Sequence, residues 1–225
     1  MSLIHEDMYI IGLEKIVKQF KINLSPNQRY ASFDYCYNYF LNTENPLEDI
    51  EKSCLVLAFY LASWGMLRGS SFLLNKSIKH YQATIQLIAS IDKSAWNIDV
   101  INYDTKNIQE ILHIYREVKK CIISGSNADL TLVTKILLGV FGFIPAFDTY
   151  FCATFKKMYR KRCAFRKLNA DSLEYIREFY ESNKLAIDKL ALETFTIDFV
   201  SGLETTTNYP RAKIIDMYGF TARSL

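Results

Sequence analysis

Glycine and proline are scarce in this chain, at 8 and 4 among 225 residues. That scarcity argues against an all-β fold, which needs many tight turns. No Pro/Gly/Ser-rich stretch interrupts the sequence, so residues 1–225 are expected to form one domain without a flexible linker. Histidine is thin as well. His5, His80 and His113 have no second His or Cys at metal-ligand spacing, so neither a metal nor another cofactor is expected. The cysteines, Cys36, Cys54, Cys121, Cys152 and Cys163, contain no C-x-x-C and lie in apolar or aromatic stretches. They read as reduced structural thiols of a cytoplasmic protein. Net charge is only +3, which permits a polyanionic partner without requiring one. The N-terminus lacks a basic region followed by an apolar one, so no signal peptide is expected.

Two apolar runs bear on membranes. Cys54–Leu67 is too short to span a bilayer. Ile136–Phe155 carries Gly139, Gly142, Pro145 and Asp148 near its middle, which reads as a turn between two buried helices. No membrane partner is expected.

Aromatics are abundant, with 15 Tyr and 15 Phe, and supply ample volume for a core. Ser25-Pro26-Asn27-Gln28, Asn45-Pro46-Leu47-Glu48 and Asp171-Ser172-Leu173-Glu174 each have the grammar of a helix start. From 105 to 123, Ile108, Ile111, Leu112, Tyr115, Val118 and Ile122 form a stripe of helical period, and 172–195 carries a second one. Further helices are expected near 3–21, 26–41, 47–64, 77–91, 128–141, 146–163 and 210–218. Residues 96–104 and 205–208 read as connectors, and no alternating stretch demands a sheet. Cys54–Trp64 and much of Leu137–Phe155 are apolar all round, which places them in the middle of a bundle. The expected fold is all-α: a single globular orthogonal or irregular bundle of about 8–10 helices, with 1–43 a candidate peripheral hairpin.

Three constellations could carry chemistry. Trp64-Gly65-Met66-Leu67-Arg68-Gly69-Ser70-Ser71 delivers an arginine and two hydroxyls at an element boundary. A helix starting at Ser70 or Ser71 would aim free N–H groups at an anion beside Arg68, with His80 downstream. In an enzyme built there, Arg68, Ser70 and Ser71 would bind a phosphate or carboxylate, and His80 or Asp148 would be the general base. The blander reading is a polar corner between helices.

Lys135, a glycine-containing hairpin and Asp148 resemble the lysine/aspartate arrangement of helix-hairpin-helix DNA glycosylases, over about 20 residues. The resemblance implies Lys135 and Asp148 as catalytic candidates. The family's L-P-G-[VI]-G hairpin is absent here, and Lys135 lies closer to Asp148 than that family's pattern has it. An aspartate in the first turn of a helix is also the ordinary complement of the helix dipole.

The third constellation is the basic run Lys156, Lys157, Arg160, Lys161, Arg162, Arg166 and Lys167, with no acid among them. Read as a helix, it places Lys156, Arg160 and approximately Lys167 on one side, with Tyr159 and Phe165 interleaved. This pattern points to a phosphate backbone, DNA or RNA, as partner. A solvated helix end is the alternative, and Asp171, Glu174, Glu178 and Glu181 downstream could neutralise it. The aromatic stretch Phe33–Phe40 offers stacking platforms for bases, or burial between neighbouring helices. The leading expectation is thus a nucleic-acid-associated binding module. An enzyme around the Arg68 corner comes second. An interaction or assembly subunit, marked by an exposed apolar patch, comes third.

Overall fold

Short polar side chains set where the helices begin. The computed structural model of the chain describes residues 3–22 and 24–222. Helix α3 (Ile50–Ser63) starts where Asp49 accepts the Lys52 N–H at 3.0 Å. Asp104 serves α5 (Thr105–Ile122) in the same way, taking the Asn107 N–H at 2.8 Å. Asn169 and Ser172 form a reciprocal box at the head of α8 (Ala170–Ser182). Each bond satisfies a first-turn donor that helix geometry leaves without a partner.

The predicted boxes fall near these starts but not on them. Ser25 and Asn45 instead close single turns. There the Gln28 N–H meets the Ser25 carbonyl at 2.9 Å and the Leu47 N–H meets Asn45 Oδ1 at 3.1 Å. Helix α2 (Ser32–Asn42) and α3 begin only beyond them. Asp171 sits inside the first turn of α8, because Asn169 has already taken the capping position.

The remaining helices are α1 (Leu3–Ile22), α4 (Gln82–Ser90), α6 (Leu130–Phe141), α7 (Thr149–Tyr159), α9 (Lys184–Glu193) and α10 (Arg211–Thr221). The chain is an all-α bundle, as its periodicity predicts. One addition was not expected: β1 (Phe195–Ile197) pairs antiparallel with β2 (Glu204–Asn208) in a small hairpin beside α2. None of the helices among the described residues is long and apolar enough to cross a membrane.

Two helices are buried nearly all round. α6 packs against α2, α3 and α5, and α10 packs against α1, α7 and α9. A helix without a polar face is stable only where neighbours cover every side. Gly139 permits the closest of these contacts, since a Cβ there would stand 2.3 Å from the Tyr60 ring. The N-terminal segment does not form a peripheral hairpin. The described part of α1 lies on α9 and α10, while α2 is enclosed by α3 and α6. Helix α3 corrects another expectation. Its Cys54, Leu57, Tyr60 and Leu61 are buried, but Leu55 is 48% and Phe59 68% exposed. One apolar face of α3 is therefore open to solvent.

Candidate functional site

The Arg68 corner is a shallow depression of about 330 Å³ lined by Arg68, Ser70 and Ser71 together with Asn127, Ala128 and Thr131. Ser71 donates to the Met66 carbonyl at 2.6 Å and accepts the Leu73 N–H at 3.3 Å, capping the turn Phe72–Asn75. The expected helix start is thus a single 3-10 turn, and four residues give no row of aligned peptide dipoles to hold an anion. Arg68 folds back over Gly65, where a Cβ would meet its Nε at 2.9 Å. His80 is held elsewhere. Its Nε2 bonds to the Ile122 carbonyl at 2.9 Å, and its ring meets Phe72 and Tyr81 edge-on. Neither His80 nor Asp148 lines the corner, so the enzyme constellation does not converge.

Lys135 and Asp148 do meet. Lys135 Nζ lies 3.1 Å from Asp148 Oδ2, with both residues buried. Asp148 Oδ1 accepts the N–H groups of Tyr150 and Phe151 at 3.0 Å each, so the carboxylate also caps α7. A second buried pair, Lys213 with Asp216 at 2.8 Å, stands on α10. Trp64 joins the two, with Lys135 Nζ 4.9 Å and Lys213 Nζ 4.5 Å from its ring centroid. Aromatic faces attract desolvated ammonium groups, and this offsets part of the cost of burying two lysines. Asp216 Oδ1 accepts the Ala146 N–H at 3.0 Å, and Thr134 Oγ1 accepts that of Phe147 at 2.8 Å. Three carboxylate and hydroxyl acceptors, Asp148 Oδ1, Asp216 Oδ1 and Thr134 Oγ1, therefore serve the 142–148 connector and the start of α7. The Lys135/Asp148 arrangement works here as an architectural tie.

The basic run has a different geometry. Helix α7 ends at Tyr159, and Arg160 takes a positive φ of 47° that turns the chain out of the helix. The grouping of Lys156, Arg160 and Lys167 on one helical face is therefore corrected, because only Lys156 and Lys157 are helical. The other five lie on a loop. That loop is anchored by Phe165, also at positive φ (49°) and 1% exposed. Its ring sits 5.5 Å from Phe155, 5.8 Å from Phe147 and 6.0 Å from Tyr159. Leu168 is buried as a second fixing point.

All seven cations are exposed. Arg162 makes a bidentate pair with Glu178, at 3.0 and 2.7 Å, and stacks over Tyr175. The other six carry no ion pair among the described residues. Of the four acids expected to neutralise the run, only Glu178 reaches it.

Comparison with protein-family models, with curated proteins and with solved structures finds no match. The chemistry of the site alone therefore carries the functional reading.

Several charged positions were invisible to sequence patterning. Asp34 is fully buried on α2. It accepts the Tyr209 hydroxyl and, at 3.0 Å, the Ile197 N–H, tying the hairpin to the bundle. Burial pushes its carboxyl up to about 6, against the opposing pull of the Tyr209 bond and of Lys21. Asp99 receives the Arg211 and Ala212 N–H groups at 2.8 and 2.9 Å, capping α10 from a distant turn. Nothing in the 210–218 stretch, where Arg211, Lys213 and Asp216 are all charged, marks Lys213 and Asp216 as buried partners. Most of the Phe33–Phe40 aromatics are buried, with Phe33, Tyr37 and Phe40 in the core rather than presented for stacking. The His5 side chain lies outside the described residues. Among those described, no group of three His, Cys, Asp or Glu could hold a metal.

Proposed function

We propose that this protein is a nucleic-acid-associated binding module whose contact surface is the 156–167 segment. One observation carries the reading. Six exposed cations, without ion pairs among the described residues, flank a residue, Phe165, that is locked into the core. Charges on such an anchored loop lose little further freedom when they meet phosphates. A merely solvated helix end has no need of the two left-handed residues that turn and pin this segment. The surface reads backbone charge rather than sequence, because no helix projects from it to enter a groove. Free cysteines throughout support a cytoplasmic setting.

The test is binding to labelled DNA and RNA, single- and double-stranded, across a salt series. With six phosphate contacts the duplex slope of log K against log salt is expected at about −5. In Arg160→Gln/Lys161→Gln/Arg166→Gln/Lys167→Gln it should fall to about −2. Absence of binding at low salt would return the loop to the status of a solvated surface.

A further inference from the structure

The open apolar face of α3 is one wall of the largest cavity described, about 720 Å³, set between α2, α3 and the β1–β2 turn. Leu55 and Phe59 stand on one side, and Phe199, 75% exposed, stands on the other. That volume lies within the range of small-molecule sites, which are mostly apolar with a few placed polar groups. The polar groups are present. Ser32, only 4% exposed, and Asn38 both line the cavity. Ser32 Oγ and Asn38 Oδ1 are buried oxygens without a hydrogen-bond partner among the described residues. Asn38 is oriented by its amide nitrogen, which donates to the Ile197 carbonyl at 3.1 Å, so its oxygen is left as the acceptor in need. A buried acceptor left unmet destabilises the fold, and a ligand with an N–H or O–H donor would satisfy it.

The rim supplies the second specification. Arg29 and Lys52 line the cavity and have no carboxylate partner among the described residues. Arg29 rests on the Tyr30 ring and Lys52 faces that of Tyr39. The acid at the rim, Asp198, is occupied by its own turn, with Oδ1 accepting from Ser201 N at 2.8 Å and from Val200 N at 3.2 Å.

We infer that this cavity binds an aromatic small molecule bearing one N–H or O–H donor and one anionic substituent. The rings lie between Phe59 and Phe199, the donor meets Ser32 or Asn38, and the anion meets Arg29 or Lys52. This site is independent of the 156–167 loop.

Anilinonaphthalene sulfonate carries all three features, and N-phenylnaphthylamine lacks only the anion. Fluorescence titration of the full chain is expected to give saturable binding of the sulfonate, with a rise in Tm because the ligand binds the folded state. Leu55→Lys/Phe59→Lys, both at exposed positions, should weaken it at least ten-fold. Arg29→Gln/Lys52→Gln should erase the preference for the sulfonate over N-phenylnaphthylamine, about five-fold in the native chain. N-methylation of the dye should weaken binding by a similar factor, by removing the donor. The proposal is overturned by absent saturable binding, or by a dye that lowers Tm and so reads exposed core. Binding unchanged in Leu55→Lys/Phe59→Lys, or lost instead in the four-fold glutamine variant of the basic loop, would overturn it equally.

Discussion

Two sets of cations in this molecule do opposite things. Lys135 and Lys213 are sealed inside, each paired with an aspartate and each facing Trp64. The cations of 156–167 stand in solvent, and among the described residues only Arg162 has an acidic partner. The contrast teaches that position relative to water, not residue type, decides whether a lysine ties the fold together or is left exposed. Inside, a charge is tolerated only with its partners, so removing one partner exposes the whole cost of burying the other. Outside, solvent and salt leave each charge with little influence on stability, but available to a polyanion.

The comparison breaks most visibly at the interior set. Lys213→Met keeps apolar volume but strands Asp216, and a loss of about 3–5 kcal/mol is expected in urea unfolding. A loss below about 1 kcal/mol would mean that the interior pair is not the tie described here. A smaller effect belongs to Asp34. Its carboxyl is raised from the usual 3.8 to about 6, so the folded state holds the proton more tightly than the unfolded chain does. The stability this provides is full below about pH 4 and is lost as pH rises through about 6. Relative to Asp34→Asn, which cannot titrate, the native chain should lose about 2–3 kcal/mol across that window. Urea midpoints measured at pH 4, 5, 6 and 7 for both chains would show it, and parallel profiles would rule it out. The smallest change is expected for the exterior set. The four-fold glutamine variant of the loop should unfold within about 0.5 kcal/mol of the native chain while losing nucleic-acid affinity. A large stability change there would erase the distinction between the two sets.

Much of this was legible in the sequence where local chemistry decides structure. The 105–123 stripe appears as α5, and Gly142, at φ 74°, closes buried α6, whereas α7 beyond the turn is buried on one face only, through Phe151, Phe155 and Tyr159. What escaped was set by contacts distant in sequence. The 156–167 run has unbroken helical character, and nothing local announces that Phe165 is captured by Phe147, Phe151 and Phe155 and pulls the chain out of its helix. The hairpin was missed because a run as polar as Glu204-Thr205-Thr206-Thr207-Asn208 has no alternating apolar pattern. It is held by Asp34 and Asn38 of α2, far away in the chain. Lys135 and Asp148 stand out in the sequence as candidates for chemistry, but nothing there predicts that they meet as a buried ion pair. Their role follows from burial, which spacing alone does not reveal. The open face of α3 departs from its sequence pattern for the converse reason. Uniform apolarity predicts burial, and Leu55 and Phe59 are left uncovered.

The anchoring of the basic loop through Phe165 separates what holds the segment from what it displays. The fold needs the ring in its aromatic cage and the two left-handed turns, whereas the charged positions around them, Arg162 apart, are exposed and make no ion pair with the body among the described residues. Such a segment is free to drift. Its charges can be exchanged, reordered or reversed with little consequence for folding, so the composition of this surface can change faster during evolution than that of the core. It is also where a designer could graft a different recognition sequence onto an unchanged scaffold.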